Sequence, residues 1–201
     1  MRRRRTVSGL VGLGLLSLVA AGCSSTSSGG SVLPASDDRG TKEPSETSQC
    51  AQPVNLDDLT AELVEQLQLE RDREGLSALM LDETLCSVAA EYACRMIEGD
   101  FFAHVDPQTE STPGSRVTAS GYEFYAVGEN LAAGQETVTD VVQQWMESPT
   151  HRANILDDTW RATGIAVRTG GEYGVYWVQI FADPTAAGPG ESSSAVAANA
   201  P

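Results

Sequence analysis

Between Tyr173 and Phe181 the chain reads as a strand that is apolar on both faces, with Tyr176, Val178 and Ile180 opposing Val175, Trp177 and Phe181. Such a strand has to be covered twice, so a sheet with one wet face is excluded. Thr163–Arg168 has the same period, and Gly170 and Gly171 between the two runs mark a hairpin turn. Three helical stripes are available as cover. Leu56, Leu59, Leu63 and Leu67 follow Asn55, Asp57 and Asp58, a capped start, and stop at Gly75. A second stripe opens near Asp82 and Glu83, carries Leu85, Val88, Ala89, Tyr92, Ala93 and Met96, and ends at Gly99. A third, capped by Thr137 or Thr139, places Val138, Val141, Val142, Trp145 and Met146 on one face until Pro149 ends it. Trp145 and Trp177 are core residues on this reading. Helices on both sides of a sheet give an α/β fold of three layers, an α/β/α sandwich. The segment from Phe101 to Gly134, rich in Gly, Pro and Ser, reads as a long irregular loop, and loops of that length in a small domain commonly carry function.

The ends of the chain are of another kind. Met1 and Arg2 to Arg5 precede a 17-residue apolar run from Thr6 to Gly22, which reads as a signal peptide over residues 1–22. A retained transmembrane helix is the alternative, but the run is short for a bilayer and broken by Gly9, Gly12, Gly14 and Gly22. Small residues before Cys23, then Ser24 and Ser25, resemble a bacterial lipobox, in which the cysteine thiol is acylated; without acylation the protein is secreted. Arg4 and Arg5 also permit a twin-arginine export route. Residues 23–49 are then a lipid-anchored disordered linker. The 26 residues from Ser24 to Gln49 have too few large apolar side chains to offset their ordering entropy, and their root-mean-square span is ~30 Å. Residues 186–201 read as a second disordered tail, leaving residues 50–185 as the folded domain.

Charge narrows the partners. The whole chain carries 28 acidic and 13 basic side chains, a net −15. Without Arg2 to Arg5 the same acids face 9 basic residues, a net −19. That sign argues against nucleic acid and against a polybasic membrane patch, and leaves the lipid on Cys23 as the route to the membrane.

In an exported protein the remaining cysteines, Cys50, Cys86 and Cys94, invite a disulfide. Cys86 and Cys94 are eight residues apart on one helix, about 12 Å along its axis, too far to bridge. The expected bond joins Cys50 to Cys86 or to Cys94.

The chain has two histidines, His104 and His151, and a Glu129 flanked by Gly128 and Asn130. Read singly, each histidine is a surface residue and Gly-Glu-Asn is a turn. Read together, two imidazoles and a carboxylate are the minimal set for a divalent metal site with an open position, or for a metal-free acid/base pair. Their separations form no local motif. His151 lies two residues past Pro149, at a helix N-terminus, where the dipole disfavours imidazolium, so a neutral ring is expected near pH 7. Asn130 is expected to fix the segment bearing Glu129, and Arg152 to be a salt-bridge partner or a substrate contact.

Six ordered blocks resemble one family. They are Phe102-Ala-His-Val-Asp-Pro107, Arg116 with Gly121-Tyr122, Val127-Gly-Glu-Asn-Leu-Ala132, Trp145-Met-Glu-Ser-Pro-Thr-His-Arg-Ala-Asn-Ile-Leu156, Gly164-Ile-Ala-Val167 and Tyr176-Trp-Val-Gln-Ile-Phe181. In order and spacing they resemble the bacterial branch of the CAP superfamily, the SCP-like proteins, over about residues 56 to 183. The resemblance implies the same α/β/α sandwich, with a mainly antiparallel sheet. It implies a cleft lined by His104, Glu129 and His151 as candidate catalytic residues, with Asp106, Asn130 and Arg152 in support. It also implies His104 and His151 as ligands to a divalent ion such as zinc or magnesium in those members that bind one. Members outside bacteria place a second acidic residue three after the tryptophan, where this chain has Ser148, with Glu147 one position off. The Ser-Pro-Gly-His of the family is Ser-Pro-Thr-His here. Two functions are in keeping with the resemblance: hydrolysis of a cell-wall component, or non-enzymatic binding of a lipid, a wall fragment or a protein.

Overall fold

The computed structural model describes residues 49–185; the proposed signal peptide, Cys23, nearly all of the linker and the C-terminal tail lie outside them. The expected stripes form α1 (Leu56–Arg73), α2 (Glu83–Gly99) and α4 (Val138–Glu147). The expected hairpin forms β3 (Ala162–Gly170) and β4 (Gly174–Pro184). The sheet has the order β1-β3-β4-β2, where β1 is Met80–Leu81 and β2 is Phe124–Ala133. Both β2 and β3 run antiparallel to β4, and only the two-residue β1 pairs in parallel, so the sheet is mainly antiparallel. No helix of the described residues is long and apolar enough to cross a membrane.

Two separate cores bear out the need for two covers. Leu85, Val88, Ala89, Tyr92, Ala93 and Met96 of α2 pack on Tyr176, Val178 and Ile180. Leu63 and Leu67 of α1 and Val138, Val141, Val142 and Trp145 of α4 pack on Trp177 and Phe181. Trp145 and Trp177 are both fully buried. The caps follow local chemistry. The Asp82 carboxylate accepts from the backbone N–H groups of Thr84 and Leu85 at 2.9 and 3.0 Å, and Thr137, not Thr139, caps α4. Asn55 stands at the N-cap of α1, but its side chain makes no capping hydrogen bond.

Two expectations are corrected. The segment 101–134 is not irregular throughout: it contains α3 (Pro113–Ala119), started by a Thr112/Ser115 capping box, and the ten-residue strand β2. Gly128-Glu129-Asn130 is therefore mid-strand and not a turn. Its register is Gly128 with Phe181, Glu129 with Ile180 and Asn130 with Gln179. The ladder to β4 overrides the local turn preference of those residues. As expected, the third helix stops just before Pro149, at Glu147, and a further helix starts there. Pro149 is the first residue of this helix, α5 (Pro149–Ile155), where its missing N–H costs nothing.

The disulfide joins Cys50 to Cys94, with Cα atoms 5.1 Å apart, and closes a loop of 44 residues. It fastens the start of the domain to α2 while Ala51 pairs with Thr169 of β3. Replacing Cys50 by serine should lower the unfolding free energy by roughly 2 to 4 kcal/mol, seen as an earlier denaturant midpoint. An unchanged midpoint would mean that the bond constrains nothing that unfolding releases.

Candidate functional site

β2 is an edge strand, and consecutive side chains leave it on opposite faces. Glu129 projects with Leu131 and Ile180 towards the α2 layer, whereas Asn130 projects towards α5. The site straddles this edge. His104 reaches it from the loop after α2, and His151 from the first turn of α5.

The centre of the site is Glu129, whose side chain is 1% exposed. One carboxylate oxygen lies 2.8 Å from His104 Nδ1, and the other accepts from Arg116 Nη2 at 2.7 Å. Arg116 is a residue that sequence reasoning missed as functional. It projects from α3, its guanidinium lies 3.2 Å above the centroid of the Tyr92 ring, and it donates to the carbonyls of Ser111 and His104. Tyr92 in turn donates its hydroxyl to the Ala103 carbonyl at 2.5 Å. Burial pushes the Tyr92 hydroxyl up to about 12, so it keeps its proton at physiological pH. The backbone just before His104 is thus held by Tyr92, and the imidazole itself by Glu129. The signal for Tyr92 was hidden, because its place on the apolar stripe of α2 marks it as core.

Asp106, expected in the cleft, organises the loop beyond His104. Its buried carboxylate accepts from Arg95 Nε at 2.6 Å and from the backbone N–H groups of Gln108 and Thr109 at 2.7 and 3.1 Å. These bonds, Arg95 foremost, hold it well below the usual carboxylate range. A concavity of about 820 Å³ opens between α2, this loop and α3, with Arg116 and Tyr92 in its wall; neither imidazole lines it.

On the other face, Asn130 donates to the His151 carbonyl at 3.2 Å and accepts from Asn154 Nδ2 at 2.9 Å. Asn154 Nδ2 also reaches the Glu129 carbonyl, and Trp160 Nε1 donates to the Asn154 carbonyl. This pair of asparagines fixes α5 on β2, and so carries out the positioning expected of Asn130. Arg152 points elsewhere: it pairs with Glu74 at 3.6 Å, both side chains about half exposed. This is the salt bridge that one of its two sequence readings expects.

His104 and His151 are electrostatically coupled. Burial first, and then the charge of His104, push the His151 imidazole below its ordinary value. That direction is the one the helix-dipole argument also gives, with desolvation as the first cause. In solution the His151 NMR midpoint should lie below about 6.5, the value for an unperturbed ring. The unfolded state then binds the extra proton first, so this group's contribution to stability is intact above about 6.5 and is lost as pH falls from there through the lower folded value. A midpoint above that value would contradict the burial seen here.

The divalent ion implied by the resemblance meets an unsuitable donor set. Among the described residues no group of three or more His, Cys, Asp or Glu side chains is placed to hold a metal. Both Glu129 oxygens are already engaged, one by a guanidinium that would oppose a cation. Ser148 offers no carboxylate, and exposed Glu147 accepts from Gln143 on α4. Two imidazoles remain, one short of the three protein ligands usual for catalytic zinc.

Residues 65–181 match the model of the cysteine-rich secretory protein family, CAP. The chain is 33% identical over 141 residues to the uncharacterized protein YkwD of Bacillus subtilis, across 70% of this chain and 53% of that one. It is 33% identical over 100 residues to an uncharacterized protein of Borreliella burgdorferi, across 49% of this chain and 63% of that one. It therefore spans between about half and two thirds of these relatives. Among solved structures, an outer surface protein from Borrelia burgdorferi superposes with a TM-score of 0.60 at 25% identity, over 64% of this chain and 94% of that one. An extracellular protein containing an SCP domain from Bacillus anthracis gives a TM-score of 0.54 at 24% identity, over 66% and 45% of the two chains.

Proposed function

The chain belongs to the CAP, or cysteine-rich secretory protein, family, and on that premise we propose that it is an exported, envelope-anchored domain in which His104 acts as a base on a cell-wall component. The observation that carries the reading is the half-exposed His104 imidazole backed by a buried carboxylate at 2.8 Å. With Nδ1–H donated to Glu129, the proton acceptor is Nε2, which can take a proton from water or from a substrate hydroxyl as it attacks. Glu129 is enclosed and doubly engaged, so its part is to orient the ring. This differs from a role as the acid/base group itself. No step of this chemistry is routed through a metal ion.

Anchoring is supported by the apolar leader and by Cys23 in its lipobox-like setting, and export also by the likeness to an outer surface protein. The ~30 Å span expected from the composition of residues 24–49 suits a substrate in the overlying wall. The second reading, a non-enzymatic module that holds a lipid, a wall fragment or a protein, is favoured by one observation: among the described residues no second carboxylate stands free beside the imidazoles to act as an acid.

Incubating the full chain with purified insoluble wall polymer, with and without chelator, separates them. Soluble fragments that appear in both conditions are the expected result. Retention of the protein on the polymer without fragments would select the binding module, and neither retention nor fragments would remove the wall as its target.

A further inference from the structure

His151 Nδ1 is buried and has no hydrogen-bond partner. The ring as a whole is only partly buried, so Nε2 is its accessible nitrogen. A buried N–H without an acceptor is rarer and costlier than a buried lone pair. The proton of neutral His151 therefore belongs on Nε2, the nitrogen that is not shut away from solvent. His104 has the opposite constraint: its Nδ1 faces the Glu129 carboxylate, which accepts and cannot donate. Its proton is on Nδ1 and its lone pair is at Nε2.

We infer that the two imidazoles are held in opposite tautomers, His104 presenting an acceptor and His151 a donor, and that the site at the edge of β2 is built for a neutral group that is both donor and acceptor, a hydroxyl of the ligand or a bound water. This deepens the proposed function by naming the group that is recognised, and rests on it only for the identity of the ligand. A divalent metal ion needs two lone pairs. To supply the second, His151 would have to move its proton to Nδ1, where nothing accepts it.

The test uses the full chain labelled with 15N in histidine, which has two such residues. Long-range proton–nitrogen spectra at about pH 8.5, two units above the ordinary histidine value, should show a protonated Nδ1 for one ring and a protonated Nε2 for the other. Either His104→Gln or His151→Gln assigns both rings, so one folded variant suffices. The Nδ1-protonated ring should be His104. Addition of zinc should leave the two patterns unchanged at equimolar metal. Any other tautomer combination would overturn the inference, as would a stoichiometric zinc complex that shifts both rings, whether or not the protein cleaves or binds wall polymer.

Discussion

Arg116→Ala is expected to lower the free energy of unfolding by about 3 to 5 kcal/mol, the range for leaving one member of a buried ion pair alone. The side chain of Glu129 is 1% exposed and that of Arg116 11%, so the carboxylate left behind is largely shut off from water. The same guanidinium holds the Ser111 and His104 carbonyls and covers the Tyr92 ring, and each of these loses a partner too. Arg116→Lys should recover only part of the loss, since an ammonium cannot span those acceptors or lie flat on the ring. The double replacement Arg116→Leu with Glu129→Leu should cost clearly less than the sum of the single ones, because it leaves no buried charge. Denaturant unfolding followed by tryptophan fluorescence measures all of these variants. An Arg116→Ala midpoint equal to wild type would show that the pair is solvated in solution.

Gly164→Ala should destabilise the domain by about 3 kcal/mol or more, beyond the usual range for one added methyl group. A Cβ at Gly164 would lie 2.1 Å from the Leu85 carbonyl carbon, 2.4 Å from the Cys86 nitrogen and 2.4 Å from Leu85 Cβ. Two of these atoms are helix backbone and cannot turn aside. Nor can α2 move off β3 cheaply, because Asp82 N–H donates to the Thr163 carbonyl at 2.9 Å beside the Asp82 cap of α2. A fall in Tm of roughly 10 °C is the expected reading. A change within ~1 °C would mean that strand and helix are less closely packed than this contact requires.

The layers were legible because they rest on periodicity. Val175 to Phe181 could not be apolar on both faces without two covers, and the stripes on α1, α2 and α4 provide them. The Cys50 bridge was legible from helix geometry, up to the choice of Cys94. β2 was not, because the polar residues at its middle serve the site. Glu129 and Asn130 break the apolar alternation that marks a strand, and only the pairing with β4, some 50 residues later, holds them extended. The roles around His104 were hidden for a related reason. Arg116, Tyr92 and Asn154 lie on three separate helices, and no spacing along the chain reveals that they meet β2 or the His104 loop. Arg152 shows the converse: adjacency to His151 in sequence places it on the side of α5 that faces Glu74.

The central claim is that His104 does the chemistry and Glu129 orients it. Its most direct test is the rate of fragment release from purified wall polymer by wild type and by His104→Ala, in the presence of chelator and after both are shown to be folded. A fall of roughly 10²- to 10⁴-fold in His104→Ala, the range for removing a general base, is the predicted result. Release by His104→Ala at the wild-type rate would contradict it.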